Sequence, residues 1–476
     1  MIKRILPVTA ALFIAASTCT ASAISSSHNY QYDEDRASIP APETFVAKDV
    51  IYGTDLGIGA FSSPSDIFVD AEDNVYVADT DNNRIVVLDS NLSFVKEINA
   101  ISGVENTALS GPKGVFVKDG NIYICDTANS RVVAIRENGE VFRYIEGDGI
   151  VSVNEKFVFQ PEKVVLDEND NILVSSSAIY QGILRFDEKD EFKNFFAPNQ
   201  VEATFETFIS SLLKKFFTDA MKEGITKQLP SPYSNIYLGP DNFIFATSEN
   251  VAVGQDLKCI NSAGANILNF ASISSSNTVY GDHESAYRNN SFIDVHADKN
   301  GNMLVADRQT GKLFLYDEEC NLMAVFGGIG DEKGRFGEIS AIEKLGENYL
   351  ILDKKKNSIT VMEPTDYVKR LYIAMEHYRR GEYTESEGIW QELLMENSNL
   401  PLAYCSLGRS KYHIGEYKLA MDYLEEGGDT YFYSLALNEY RKEFVHDHFM
   451  LIVVGGVAAI VAVFYIIKWI RKKLSE

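Results

Sequence analysis

The chain has 476 residues, of which 45% are hydrophobic and 24% are charged. This is the balance of a globular protein of about three domains, and it excludes a wholly disordered or collagenous chain. The 68 acidic and 44 basic residues give a formal charge of −24, so we expect no nucleic-acid partner, because a phosphate backbone repels an acidic surface. The five cysteines form no CxxC pair and no metal-ligand spacing, so no disulfide framework, zinc site or other cofactor is predicted.

Residues 1–23 have the pattern of an export signal. Lys3 and Arg4 form a basic start, residues 8–16 a short apolar stretch, and residues 21–23 (A-S-A) a small-residue cleavage pattern. We therefore predict that the chain that follows is exported.

A repeat covers most of the exported region. Each copy has an apolar triplet, a turn that closes on Asn, and a second apolar triplet. Asn after Asp or Gly favours a tight hairpin, because Asn tolerates the left-handed backbone region. Five segments align with residues 66–79, and they begin near Gly114, Lys163, Asn235, Asp294 and Ala341. With a third and a fourth strand per copy, the six copies predict a mainly β fold, a six-bladed β-propeller.

The turn after the second strand repeats as well. The sequence D-T-D-N-N-R at 79–84 is echoed by D-T-A-N-S-R at 126–131, and weaker echoes begin at Asp307 and Asp353. These turns, with Gly-rich loops such as 326–336, resemble the NHL repeat family over residues 44–363. Ser175 and Thr247 stand where the family has Asp, so we expect its ring of carboxylates to be incomplete here.

The two ends of the repeat region predict how the ring closes. The sixth copy has only three strands before Pro364, and residues 44–51 precede the first copy. We expect this N-terminal strand to complete the last blade and so remove an exposed sheet edge. An insertion at 201–228 has the apolar spacing of an amphipathic helix. This helix is predicted to cover a propeller flank, with a lid or docking element and a membrane-surface contact as the alternatives.

A helical region is predicted between the propeller and the C-terminus. The sequence G-E-Y at 381–383 recurs at 415–417, which resembles the tetratricopeptide repeat over residues 364–428. The resemblance implies a groove that binds a peptide, with a stiff spacer as the alternative. A juxtamembrane helix at 429–448 leads to an apolar run at 449–467, which is long enough to span a bilayer. The basic tail at 468–476 predicts a cytoplasmic C-terminus and an extracellular N-terminal domain, under the positive-inside rule.

The turns after the second strands carry the candidate ligand-binding residues. Propeller topology places these turns on the face opposite the Asn hairpins and the helical region. The candidates are Asp79, Asn83, Arg84, Asp126, Arg131 and Asp307. The alternative is that these side chains cap and pair within their own turns. Because catalytic motifs are absent, we expect a cell-membrane protein that binds or scaffolds a protein, peptide or glycan, within a transport or envelope complex.

The resemblance also implies an enzymatic alternative. Similar propellers, such as the lactonases, hold a divalent cation in the central channel through Glu, Asn and Asp. The inner strands here offer Asp66, Glu162, Asp294 and Glu343, and His296 lies on an inner strand as well. Three or more such side chains converging in the channel would favour a metal-dependent lactonase or lyase. A purely structural spacer is the third possibility.

Overall fold

The computed structural model describes residues 29–32, 38–150, 158–198, 231–249, 256–268 and 291–475. The predicted export signal at 1–23 and the whole of the predicted helix at 201–228 lie outside these ranges. Three strands open the described chain: β1 (Tyr30–Tyr32), β2 (Ser38–Pro40) and β3 (Phe45–Tyr52). The strands that follow form six antiparallel sheets, which confirms the predicted six-bladed β-propeller.

Blades one to three each have four antiparallel strands. Blade one consists of β4 (Asp66–Val69), β5 (Val75–Asp79), β6 (Arg84–Leu88) and β7 (Phe94–Ile98). Blade two consists of β8 (Pro112–Lys118), β9 (Asn121–Asp126), β10 (Arg131–Ile135) and β11 (Val141–Ile145). Blade three consists of β12 (Pro161–Leu166), β13 (Ile172–Ser176), β14 (Ile183–Phe186) and β15 (Phe192–Phe196).

The second half of the ring is less regular. Blade four has β16 (Tyr233–Leu238), β17 (Ile244–Ser248) and β18 (Leu257–Ile260) within the described residues. Blade five has β19 (Phe292–Ala297), β20 (Met303–Asp307), β21 (Lys312–Tyr316) and β22 (Leu322–Gly327), and the hairpin of β1 and β2 extends its outer edge. Blade six has β23 (Ile339–Leu345), β24 (Asn348–Asp353) and β25 (Ser358–Pro364).

The strand β3 completes blade six. It pairs antiparallel with β25, from Tyr52 opposite Ser358 to Phe45 opposite Pro364. The predicted closure by an N-terminal strand is therefore confirmed. Phe45 is buried between Phe326 and Tyr349, with ring centroids 5.2 Å from each.

The inner strands of each blade are buried on both faces of the sheet. Their residues are therefore apolar at consecutive positions. In β5, Val75 and Val77 contact the core shared with blade six, whereas Tyr76 and Ala78 contact the core shared with blade two. Side chains alternate between the two faces of a strand, so a strand between two neighbouring blades needs apolar residues at both.

The hairpins between first and second strands differ from the expectation in one detail. The left-handed residue is usually the one before Asn, such as Asp73 with φ 62° and Gly301 with φ 82°. The Asn acts through its side chain instead, and Asn74 Nδ2 donates to Asp70 Oδ2 at 2.9 Å. Asn242, with φ 59°, is left-handed itself.

Six helices follow the propeller within the described residues. They are α1 (Asp366–Arg379), α2 (Tyr383–Glu396), α3 (Pro401–His413), α4 (Tyr417–Glu426), α5 (Thr430–Asp447) and α6 (Phe449–Leu474). The first four form two hairpins. Gly381 and Gly415 turn each hairpin with φ of 76° and 86°, a backbone conformation that glycine adopts without steric cost.

The helical hairpins pack against the propeller face that carries the Asn hairpins. The core of blades five and six continues without a break into Leu371, Trp390 and Leu407. Ion pairs surround this contact: Arg379 Nε lies 2.9 Å from Glu318 Oε2, and an Arg409 nitrogen lies 2.8 Å from Glu319 Oε2. The face with the turns after the second strands, called the upper face below, is therefore opposite the helices.

The helix α6 is long and apolar enough to span a bilayer, and no other helix in the described residues meets both conditions. None of its residues is buried by the rest of the protein. Arg471, Lys472 and Lys473 lie in its last turn. These properties fit a single membrane anchor.

The closing strand generates the first prediction. Phe45→Ala removes a buried ring from the contact of β3 with blades five and six. We therefore expect the free energy of unfolding to be about 3–5 kcal/mol lower than in the wild type. The matched control is Lys48→Ala in the same strand, whose ion pair with Glu363 is half exposed. This change should cost less than about 1 kcal/mol. Urea unfolding followed by circular dichroism measures both, and equal losses would contradict the closing role of Phe45.

Candidate functional site

The six inner strands surround a channel with two rings of side chains. The upper ring takes one residue from each blade: Asp66, Gly114, Lys163, Asn235, Asp294 and Ala341. The lower ring lies two residues further along each strand: Phe68, Phe116, Val165, Tyr237, His296 and Glu343. Because residues i and i+2 of a strand share a face, the register of the six sheets produces both rings.

An ionic network fills the upper ring. The Lys163 ammonium donates to Asp66 Oδ1, and Asn235 Nδ2 donates to Asp294 Oδ1. The carboxylates also bridge neighbouring blades, since Asp66 Oδ2 accepts from Val115 N at 2.8 Å and Asp294 Oδ2 accepts from Ile342 N at 2.7 Å. Each Asp thus satisfies a backbone N–H on the edge of the next inner strand.

Burial dominates the electrostatics of these carboxyl groups. It raises the pKa of Asp294 to about 7, although the Lys163 ammonium and the N–H of Ile342 oppose the shift. Burial raises the pKa of Asp66 as well, against the attraction of Lys163. The three carboxylates at Asp66, Asp294 and Glu343 raise the pKa of Lys163, which outweighs the effect of its own burial. Lys163 is therefore a buried cation that interacts with all three of these carboxylates.

The lower ring is held by one buried pair. His296 Nδ1 lies 2.6 Å from Glu343 Oε1, and the His296 ring contacts those of Tyr237 and Tyr349. Tyr372 of α1 adjoins Tyr349, so the helical region closes over this part of the propeller.

The channel residues do not fit a divalent cation. Asp66, Asn235, Asp294 and Glu343 do converge there, as the enzymatic alternative requires. However, the Lys163 ammonium lies among these side chains and pairs with Asp66, and the described residues contain no group of three or more His, Cys, Asp or Glu that could hold a metal ion. The open space is only 20 Å³, which holds about one water molecule. The described side chains therefore fill most of the channel.

The candidate residues of the first two blades form a repeated clasp. Asp79 Oδ1 accepts from Ser62 N at 2.7 Å, and its Oδ2 accepts from Asn82 and from Arg84 Nε, both at 2.8 Å. Arg84 continues to Ile58 O at 3.0 Å and Glu97 at 2.8 Å. The clasp therefore joins the turn after the second strand to the loop that precedes the same blade.

Blade two repeats these contacts in a more buried form. Asp126 Oδ1 accepts from Ser110 N at 2.7 Å, and its Oδ2 accepts from Arg131 Nε at 2.7 Å. Arg131 is 1% exposed and donates to the carbonyl oxygens of Asn106 and Ala108.

The remaining two candidates also make internal contacts. Asp307 Oδ2 accepts from Ser291 N at 2.9 Å, and its Oδ1 accepts from Thr310 N at 2.8 Å. Asn83 is left-handed, and its Oδ1 accepts from Gly111 N at 2.8 Å in the loop before blade two. The six candidates thus lie in separate turns rather than in one pocket. Their contacts are those of the structural alternative, and ligand binding by them stays a prediction.

The strand register corrects the prediction that Ser175 and Thr247 stand where the NHL repeat family has Asp. Ser176 pairs with Pro161 and Ser248 with Tyr233, the same ladder position that Asp126 has opposite Pro112. Ser176 and Ser248, rather than Ser175 and Thr247, therefore occupy the clasp position. The apolar runs of blades three and four are followed by several small polar residues, so the sequence did not distinguish neighbouring positions.

A cleft of 360 Å³ lies at the upper mouth of the channel. Two sets of residues line it. Those directly after the second strands are Ser177, Glu249, Arg308 and Lys354. Those at the start of the first strands are Lys113, Glu162, Ser234 and Ile293, with Ser231, Pro232 and Tyr233 beside them. A β-bulge in blades two to five turns the second set out of the channel ladder and toward the mouth.

The bulge also corrects the position expected for Glu162. This residue lies in the cleft rather than in the channel, with its carboxylate 2.6 Å from Lys113 Nζ. Glu249 lies 3.0 Å from an Arg308 nitrogen, and burial raises its pKa despite that partner. The sequence analysis missed Lys163, Arg308 and Lys354. The repeat alignment contained the signal, because each stands at a position that can be compared across all six copies.

The geometry defines the class of this protein: a six-bladed β-propeller with a filled channel and a polar cleft on one face. More particularly, residues 61–88, in blade one, match the family model of the NHL repeat. No curated protein matches the sequence.

Several solved structures are similar to this chain at low identity. A catalytically inactive virginiamycin B lyase from Staphylococcus aureus with quinupristin has 12% identity and a TM-score of 0.41, over 63% of this chain and 80% of that chain. A streptogramin B lyase has 12% identity and a TM-score of 0.39, over 63% and 78%. A protein of unknown function from Bacteroides caccae has 11% identity and a TM-score of 0.36, over 58% and 85%. Similarity at this level carries no argument about activity.

The channel generates a prediction about pH. The unfolded chain ionises Asp294 near its ordinary pKa of 3.8, whereas the folded protein holds that proton up to a pKa of about 7. Between these values the unfolded state binds fewer protons, so this residue makes stability fall as pH rises. Asp294→Asn should therefore flatten the decline, by up to about 1.4 kcal/mol per pH unit.

The matched control for this experiment is Ile342→Val, a buried neighbour that does not titrate. It should lower stability by about 0.5–1.5 kcal/mol at every pH and leave the slope unchanged. Urea unfolding at a series of pH values from 4 to 7 measures both variants. A wild-type slope in Asp294→Asn would show that its carboxyl is not the group that titrates.

The two clasps predict which of two substitutions destabilises the protein more. Asp126→Ala leaves the buried Arg131 without an anionic partner, so we expect a loss of about 3–5 kcal/mol in the free energy of unfolding. Asp79→Ala should cost less, because the Arg84 side chain is 11% exposed and keeps Glu97. Urea unfolding of the two variants under one condition tests the order, and a larger loss for Asp79→Ala would contradict it.

Proposed function

We propose that this protein is an exported, membrane-anchored binding protein that holds its ligand in the cleft on the upper face of the propeller. One observation supports the proposal most: the cleft is lined by residues of five blades, on the face opposite the helices that lead to α6. Because its own side chains fill most of the channel, this mouth is a concave polar surface in the described part of the ring.

The expected orientation follows from the sequence and the packing together. The export pattern at 1–23 and the basic end of α6 both favour a propeller outside the cell and a cytoplasmic tail. The helices contact the lower face of the propeller, so the upper face would point away from the bilayer. A ligand from the surroundings would then reach the cleft without contacting the membrane.

The helical hairpins serve as a spacer in this proposal. Their period and turns are tetratricopeptide-like, but α1 packs against the propeller through Tyr367, Val368 and Leu371. A helix packed this way does not offer its full surface to a peptide. We therefore place partner binding on the propeller.

The proposed partner is a protein, peptide or glycan of the cell envelope, within a transport or envelope complex. The cleft is lined by hydroxyl groups and by charges of both signs, which suits a polar ligand. We do not favour the metal-dependent lactonase or lyase, since Lys163 takes the place that a channel cation requires.

A pair of tryptophan substitutions tests the proposal. Ser177→Trp fills the cleft, and Ser93→Trp places the same side chain on an exposed hairpin of the opposite face. We expect the full-length protein in detergent to retain an envelope component as wild type and as Ser93→Trp, and to lose at least about tenfold in retention as Ser177→Trp. Quantitative pull-down and mass spectrometry measure this. Equal retention by all three proteins would contradict binding in the cleft.

A further inference from the structure

The residue directly after the second strand has two different uses around the ring. In blades one and two it is Thr80 or Thr127, and each hydroxyl donates to a carbonyl of the next blade, at 2.9 Å to Pro112 O and 2.6 Å to Pro161 O. In blades four to six the same position is Glu249, Arg308 or Lys354, and all three line the cleft. A position that is structural in one half of the ring therefore carries charge toward the mouth in the other half.

The charges of the cleft do not cancel. Its cations are Lys113, Arg308 and Lys354, and its anions are Glu162 and Glu249. Lys113 pairs with Glu162 at 2.6 Å, and Arg308 pairs with Glu249 at 3.0 Å. Lys354 is exposed, and its ammonium has no ion pair within the described residues. A cleft with one surplus positive charge is unexpected on a protein of formal charge −24.

The Arg308 guanidinium has an unused donor as well. Its Nε is buried and has no hydrogen-bond partner within the described part of the chain. A guanidinium presents several donors in a planar fork that suits a carboxylate. The pair with Glu249 uses only part of this capacity.

We propose that the cleft recognises a free carboxylate on a small polar ligand, with Lys354 as the residue that binds it. This inference rests on the proposed function and names its ligand chemistry. A monoanion balances the single surplus charge, whereas a phosphate dianion would leave an excess negative charge beside Glu162 and Glu249, which disfavours it. The hydroxyl of Ser177, which lines the cleft, can contact the polar remainder of the ligand. A volume of 360 Å³ limits that remainder to about the size of one sugar or a dipeptide.

The first arm of the test identifies the chemistry. Full-length protein in nanodiscs of neutral phosphatidylcholine is titrated with D-glucuronate and with acetyl-Ala-Ala, each against its own amide, and with inorganic phosphate. We expect at least one carboxylate to saturate below about 10 mM, and its amide and phosphate to bind at least about tenfold more weakly. The carboxylate that binds decides between a saccharide and a peptide as the source. Binding of the amide as tight as that of its acid, or saturation by neither acid, would overturn the inference.

The second arm assigns the residue. Lys354→Gln removes the surplus charge and should weaken the carboxylate about tenfold, whereas Lys355→Gln, in the same turn but outside the cleft, should change it less than about twofold. Equal losses at both lysines would indicate a general field effect and overturn the assignment. The tryptophan pair separates the two proposals. If Ser177→Trp abolishes partner retention while Lys354→Gln leaves it unchanged, the cleft binds its partner without a carboxylate, and only this inference fails.

Discussion

The pairing of β3 with β25 is the interaction on which the rest of the structure depends. It joins the start of the propeller to its last strand and gives blade six its fourth strand. A closed ring fixes the distance between opposite inner strands, so the side chains that meet in the channel are set by ring geometry rather than by local sequence. The same pairing brings Thr44 and Glu43 to Thr365, whose hydroxyl donates to the Glu43 carbonyl at 2.5 Å, so closure also positions the first helix.

The channel and the cleft use charge in opposite ways. In the channel, Asp66 and Asp294 accept from backbone N–H groups of the next blade, and Lys163 pairs with Asp66. Each buried charge needs such a partner, because an unpaired charge in a low-dielectric interior is costly. In the cleft, solvent reduces that cost, and an unpaired lysine is tolerated. A filled channel below a mouth with an unpaired lysine is the reason why we propose binding at the surface of the ring.

The two clasps share one sequence motif, but their ion pairs are buried to different extents. The turns at 79–84 and 126–131 have the same pattern and the same carboxylate–guanidinium contact. In blade one Arg84 shares its charge with Glu97 at the surface, whereas in blade two Arg131 is enclosed. The difference lies outside the motif: the fourth strand has Glu97 in blade one and Tyr144 at the same ladder position in blade two, and Arg131 contacts the Tyr144 ring.

The sequence by itself determined the repeat, the number of blades, the closing strand, the two helical hairpins and the apolar helix. All of these follow from periodicity and strand count, which are local properties of the chain. The residues at which the aligned repeats begin form the upper ring of the channel. The alignment did not indicate that these residues lie close together in space. Only the tertiary structure decided that Lys163 pairs with Asp66 in the channel, that Ser176 and Ser248 occupy the clasp positions, and that Glu162 points to the cleft. The physical reason is that a bulge of one residue redirects a side chain, and that side chains from strands far apart in sequence become neighbours only when the ring is closed.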